Sequence, residues 1–312
     1  MNRTVELIIP CYNEEACIRL VYDAAAEVFN KDLKDYDLRI LFVDDGSSDG
    51  TLDAIKALSG DERVHYISFS CNQGKEAAIY AGLEYSSGDY VAVMDADLQH
   101  PPAMLVEMLK AVCEEGYDSC AARRQSRKGE GLIKRAGSVL YYNIVNRMTM
   151  VDLVPGSTDF RLMTRQMVEA VLKLTERERF TKGIFQWVGF KTKWIDYPNV
   201  ERAAGKSSWR LGNLFQYALA GLFSFAKHPL RFAVWLGVIG VLGSLVYLIV
   251  MLANGEADTG SMILFFIIFF GGFLMTMTGL IGEYLARIYM EVKQRPIYII
   301  KETDITKGEK NG

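Results

Sequence analysis

The sequence predicts an α/β domain on a mostly parallel sheet, joined to a C-terminal segment of membrane character. Three observations carry this reading. Short β-branched runs alternate with helical stretches over residues 1–208. Polar clusters close three of the strand-like runs, and two uncharged stretches of 22 residues each follow at 232–253 and 261–282.

The alternation is clear element by element. Residues 5–10 form a strand-like run ending at Pro10, and a helical stretch begins at Glu14. Residues 39–43 form a second strand, closed by Asp44-Asp45-Gly46, and Asp49-Gly50-Thr51 opens the next helix. A strand at 64–69, a helix at 74–85 and a strand at 90–94 follow, the last closed by Asp95-Ala96-Asp97. Such alternation indicates a parallel sheet, in which ligands bind beyond the carboxyl ends of the strands. The clusters at 11–15, 44–49 and 95–99 all fall at those ends. Helix capping accounts for single residues such as Ser47 and Asp49, and Asn72 and Gly74 read as turn and helix-start residues. It does not account for three clusters converging on one edge.

The uncharged stretches match the ~20 residues a helix needs to cross a bilayer core. A buried core helix is the alternative, but the length and lack of charge exceed what a globular core requires. The connector at 254–260 carries only Glu256 and Asp258, whereas Lys227, Arg231, Arg287, Lys293 and Arg295 lie outside the pair. The positive-inside rule then places both flanks, both termini and the N-terminal domain in the cytoplasm. Residues 209–231 repeat Leu211, Leu214, Phe215, Leu219, Leu222 and Phe223 at helical spacing, which suits a helix lying in the membrane interface. The expected organisation is a catalytic domain at 1–208, an interfacial helix at 209–231, a transmembrane hairpin at 232–290 and a tail at 291–312. The net charge of −3 says little about partners, because the interesting charge is local, and no nucleic-acid partner is expected. Five cysteines without metal-like spacing fit free thiols in a reducing compartment, and no signal peptide is expected.

The chemistry centres on Asp95-Ala96-Asp97. Two carboxylates one residue apart on a turn can share a divalent cation, and Mg²⁺ takes one or two carboxylates plus phosphate oxygens. A leaving diphosphate needs that neutralisation. Gln99 offers a further oxygen ligand.

The segments IIPCYNEE (8–15), VDDGSSDGT (43–51), NQGKEAAIYAG (72–82), DADLQHPP (95–102) and FRLMTR (160–165) resemble family 2 glycosyltransferases of the Rossmann-like GT-A fold. ERAAGKSSW (201–209) and QRPIY (294–298), with the two stretches between them, are similar to the dolichol-phosphate mannose synthase and bactoprenol glucosyltransferase branch. The resemblance implies a nucleotide-sugar site of Pro10, Tyr12, Glu14, Val43, Asp45, Asp95, Ala96, Asp97 and Arg202, with Asp45 on the base or ribose. It implies Mg²⁺ or Mn²⁺ on Asp95, Asp97 and Gln99, and Arg202 gripping the diphosphate. A guanidinium suits that task because its fork is bidentate and always charged. The family's G-x-S-K-aromatic pattern departs here: Ser208 stands in the lysine's place, and Lys206 lies two residues earlier.

Residues 123–135 hold six basic residues against Glu130 alone, ahead of the apolar SVLYY. An anionic lipid acceptor needs both cations and apolar surface; a solvated loop is the bland alternative. The resemblance assigns acceptor-phosphate contacts to Arg124, Arg127, Lys134, Arg135 and Ser138. A lipid phosphate is already anionic at neutral pH, so positioning and charge balance matter more than a base. The expected reaction is transfer of a hexose, UDP-glucose favoured, to undecaprenyl or another polyprenyl phosphate by inverting displacement. Asp97, Asp159 and Arg202 are the expected catalytic residues, with Asp159 facing the sugar, and His100 reads as structural. Further expected partners are the membrane, a second copy of the chain, a flippase and a downstream glycosyltransferase. GDP-mannose or amino-sugar donors are alternatives, as is a membrane-anchored sugar-nucleotide scaffold without catalysis. A processive synthase is disfavoured, because Gln186-Trp187 lack the QxxRW pattern and only two spans are present.

Overall fold

The structure is a computed structural model describing residues 3–124, 154–177, 179–197, 243, 246, 249–250 and 258–305. The expectations for Arg127, Lys134, Arg135, Ser138, Arg202, Lys206, Ser208, the 209–231 helix and nearly all of 232–253 lie outside the described residues.

Among the described residues, eight strands form one sheet: β1 (Arg3–Cys11), β2 (Tyr36–Asp44), β3 (Val64–Phe69), β4 (Tyr90–Val93), β5 (Ser119–Arg124), β6 (Ser157–Thr164), β7 (Thr192–Tyr197) and β8 (Ile300–Thr303). Their order is β7-β5-β6-β4-β1-β2-β3-β8. The pairs β1–β2, β1–β4, β2–β3 and β5–β7 are parallel, whereas β6 runs antiparallel to both neighbours and β8 antiparallel to β3. The chain winds outward from β1 through β2 to β3 and then crosses back to lay β4 on the other side of β1. The order therefore reverses at β1, and the crevice beyond β1 and β4 is where such sheets bind ligands.

Among the described residues the helices are α1 (Glu15–Lys31), α2 (Thr51–Leu58), α3 (Lys75–Tyr85), α4 (Met104–Cys113), α5 (Arg165–Leu172), α6 (Thr181–Trp187) and α7 (Thr259–Val292). Val5, Leu7 and Ile9 of β1 share one core with Ile18 and Val21 of α1, Ile55 of α2 and Leu105 and Met108 of α4. The alternate residue Ile8 faces α3, where a Cβ at Gly82 would collide with its Cγ2; glycine is what lets this helix lie close. Covering on both faces is why β1 and β2 read as continuous apolar runs rather than as alternation.

One charge sits inside β1. Glu6 is fully buried; its Oε2 accepts from the backbone N–H groups of Ser87 and Gly88, and its Oε1 lies 3.5 Å from Arg39 Nε. It fastens the amino-terminal edge, opposite the crevice.

Residues Met1–Ser224 and Pro296–Gly312 make one compact unit and Phe225–Arg295 another. Residues 300–303 return to the sheet as β8, within the stretch 291–312 that composition had set apart as a tail. Tyr298 stacks on Phe69 at 5.1 Å and donates to Glu84, Lys56 pairs with Glu302 at 2.7 Å, and Asp304 accepts from Tyr66 N. In the other unit, the uncharged run 261–282 lies wholly within the 34-residue α7, whose Ile263, Ile267, Leu274 and Ile281 are exposed. Counted over the described residues alone, no helix is long and apolar enough to cross a membrane.

Candidate active site

Every described residue singled out for donor or metal binding lies at the carboxyl edge of the sheet around the β1–β4 crevice. Pro10 and Val43 are register partners on adjacent strands, as are Cys11 and Asp44. Tyr12 is 44 % exposed at the mouth, and Asn13 takes a left-handed φ of 56° to turn the chain into α1. Asparagine tolerates that conformation better than most residues.

Side chains lace the loops of this edge together. Ser47 Oγ accepts from Asn13 N, Asn13 Oδ1 from Ser48 N, and Thr51 Oγ1 from Glu14 N. Asp44 is buried, with Oδ1 accepting from Ser47 N and Oδ2 from Ser68 Oγ. Gly46 holds a φ of 66° with its Cα against Cys71, where a Cβ would stand 2.6 Å from the backbone. Asp49 accepts from Thr51 N at the start of α2, the turn role expected of it.

Asp45, expected on the base or ribose, has a more specific engagement. Its carboxylate lies under the turn before α3, taking Gln73 N at 2.6 Å and Gly74 N at 2.9 Å. Burial raises its pKa to about 6, against the opposing pull of those two amides. It anchors the β3–α3 loop to the end of β2.

That anchoring sets the position of Lys75, a residue the sequence reading passed over. Its ammonium lies 2.6 Å from Asp95 Oδ1 and 2.7 Å from Asp159 Oδ2, joining β4's loop to β6. Burial by itself would raise the Asp159 carboxyl, but Lys75 and Lys182 outweigh it and hold the group well below the usual carboxylate range. A carboxylate held ionised so firmly is a poor proton acceptor and a good charge balancer. Its second oxygen, Oδ1, is buried without a hydrogen-bond partner among the described residues. The sequence signal for Lys75 was its place: it opens a helix just after the third strand, where a fourth polar cluster meets the same edge.

Asp95, Asp97 and His100 each offer a ligand atom, all within 4.8 Å of one another. His100 is buried against the rings of Phe160 and Tyr197, and neither ring nitrogen has a hydrogen-bond partner among the described residues. Burial depresses its pKa, so the ring is neutral, the form that ligates metals. Two carboxylates and an orphaned imidazole suit a divalent cation, and His100 thereby joins the site rather than serving packing alone. Gln99 belongs to the same loop: its backbone N–H donates to Asp97 Oδ1, while its side-chain Oε1 accepts from Arg124 Nη2 at 3.3 Å. Arg124, at the end of β5, also reaches the Tyr197 hydroxyl at 3.5 Å. The basic run therefore starts against the loop that carries Asp95, Asp97 and Gln99.

Beneath lies Arg161, buried with its guanidinium 4.4 Å from the Phe185 ring and 5.5 Å from Trp194; burial lowers its pKa to about 10.

The chain is similar to known proteins. The family model described as glycosyl transferase family 2 matches residues 6–172. A Bacillus subtilis (strain 168) chain named as a glycosyltransferase, CsbB, is 45 % identical over 307 residues, covering 96 % of this chain and 92 % of its own length. The SfII prophage-derived bactoprenol glucosyl transferase of Shigella flexneri is 37 % identical over 305 residues, covering 96 % of this chain and 98 % of its own. Among solved structures, the glucosyl-3-phosphoglycerate synthase of Mycobacterium tuberculosis with Mn²⁺, UDP and glucosyl-3-phosphoglycerate has a TM-score of 0.47 at 19 % identity, covering 71 % of this chain and 79 % of that one. A doubly covered α/β sheet, carboxylates gathered at its switch point and full-length relatives lead to one assignment: the chain is a glycosyltransferase and belongs to glycosyl transferase family 2.

Proposed function

We propose that this enzyme transfers glucose from UDP-glucose to a polyprenyl phosphate, of the bactoprenol type, at the cytoplasmic face of a membrane. The observation that carries the reading is the convergence of Asp95, Asp97, His100 and the Lys75–Asp159 pair at the β1–β4 crevice, beside Arg124. The bactoprenol glucosyl transferase relative, similar along its whole length, supports the acceptor and the sugar.

Asp95, Asp97 and His100, with Gln99 as a further oxygen, would hold Mg²⁺ or Mn²⁺. Bound there, the cation would neutralise charge on the departing diphosphate. The chain's own groups do the rest. The loops after β1 and β2 hold the nucleotide, and Arg124 begins the cationic surface for the acceptor phosphate. Asp159 Oδ1 is a buried acceptor suited to a sugar hydroxyl. The acceptor is already an anion, so the firmly ionised Asp159 orients and balances charge rather than removing a proton. Displacement by the lipid phosphate inverts the anomeric carbon.

The decisive assay incubates the full chain with undecaprenyl phosphate and labelled UDP-glucose, GDP-mannose and UDP-amino sugars in turn. Labelled lipid is expected from UDP-glucose foremost; no lipid product from any donor would sink the reading.

The membrane assignment is supported by the uncharged run inside α7. A tag at Glu256 is expected to be labelled from outside the cytoplasmic membrane, and tags at either terminus only after permeabilisation. The reverse labelling would overturn the topology.

A further inference from the structure

Among the described residues, Lys75 seats its ammonium directly on Asp95, a member of the Asp95–Asp97–His100 group. It does so at 2.6 Å, while a second carboxylate, Asp159, holds the same ammonium at 2.7 Å from the other side. An ammonium has three N–H donors, and these two partners engage two of them. The three side chains are 37 %, 26 % and 15 % exposed, so solvent screens the pairing only in part. The position is also held from behind, because Asp45 pins the turn that leads into α3.

We propose that Lys75 is a positioning residue that holds Asp95 and Asp159 in place of a divalent cation, so that the metal binds tightly only together with the nucleoside diphosphate. The physical reason is charge. Without nucleotide, a divalent cation at Asp95 meets an ammonium already bonded to that carboxylate and must compete with it. With nucleotide, the diphosphate brings negative charge that accommodates both cations, and the remaining N–H of Lys75 is available to a donor oxygen. The coupling is reciprocal: whatever factor the diphosphate gives the metal, the metal gives the diphosphate.

The inference rests on the proposed metal-assisted transfer, and the test separates the two. Mn²⁺ binding to the full-length protein in detergent is measured by the electron paramagnetic resonance signal of free Mn²⁺, alone and with UDP. Wild type is expected to bind Mn²⁺ at least about tenfold more weakly alone than with UDP. Lys75→Met, and Lys75→Gln as a second variant, should bind Mn²⁺ alone at least about tenfold tighter than wild type, with the advantage from UDP reduced by the same factor. Lys75→Arg should keep the wild-type pattern. At saturating Mn²⁺ and donor, kcat of Lys75→Met should still fall, whereas a merely structural role predicts weaker Mn²⁺ binding throughout. The inference is overturned if wild type binds Mn²⁺ equally well without UDP, or if neither neutral variant binds it tighter. Failure of wild type to bind Mn²⁺ even with UDP would instead overturn the metal site itself.

Discussion

Replacing Asp97 by asparagine is expected to lower transfer by at least roughly a hundred- to a thousandfold, the scale of losing one charge-stabilising group from a transition state. Asp97 is buried, so a metal held there works in a poorly screened environment. The asparagine keeps the side chain's shape and can still accept from Gln99 N, so the fold should persist and circular dichroism should match wild type. EDTA should abolish activity, and excess Mg²⁺ or Mn²⁺ should restore it. Full activity in EDTA would remove the metal from the reaction. His100→Ala should give a graded loss, with the half-saturating metal concentration raised more than the maximal rate is lowered, if the imidazole helps to hold the cation as proposed.

The arginines should divide into two kinetic classes. Arg127→Ala and Arg135→Ala should each raise KM for the lipid about tenfold or more, since a charged hydrogen bond contributes roughly 1.5–3 kcal/mol, and donor affinity should stay near normal. Arg202→Ala should weaken the donor and lower kcat together, because its proposed partner, the departing diphosphate, gains charge as the glycosidic bond breaks. Lysine should rescue the acceptor arginines better than Arg202, where a bidentate fork is proposed. Arg124 should fall between the classes: it bonds Gln99 in the metal loop as well as opening the basic run, so its loss should reach both substrates. Equal loss of donor affinity across all four would place the basic run in the nucleotide site.

Much of this architecture was legible along the chain. The strand at 64–69 was read with the bounds it has in the structure, and the strands beginning near residues 5, 39 and 90 were each found within a few residues of their observed ends. That success has a local cause: strands buried on both faces must be apolar throughout, and each stops where polar residues begin. Asp95 and Asp97 were legible for the same reason, since two carboxylates on a turn after such a strand have few structural uses. The antiparallel β6 and the returning β8 were not legible. Their partners lie far away in sequence, β6 against β4 and β5, and β8 against β3, and a four-residue strand such as β8 carries no periodicity.

The sequence alone determined the kind of domain, the edge where chemistry gathers and the carboxylates that mark it, because these follow from patterns within one strand and its loop. Only the tertiary structure decided which charges meet. It seated Lys75 between Asp95 and Asp159, residues separated by 20 and 84 positions from it, and turned Asp45 under the α3 turn. It also left both His100 ring nitrogens without a hydrogen-bond partner among the described residues, close to Asp95 and Asp97, when its sequence neighbours gave a structural reading. The physical reason is range. Hydrophobic patterning acts through neighbours along the chain, whereas ion pairing and desolvation depend on distances of a few ångströms that only the packed sheet brings about.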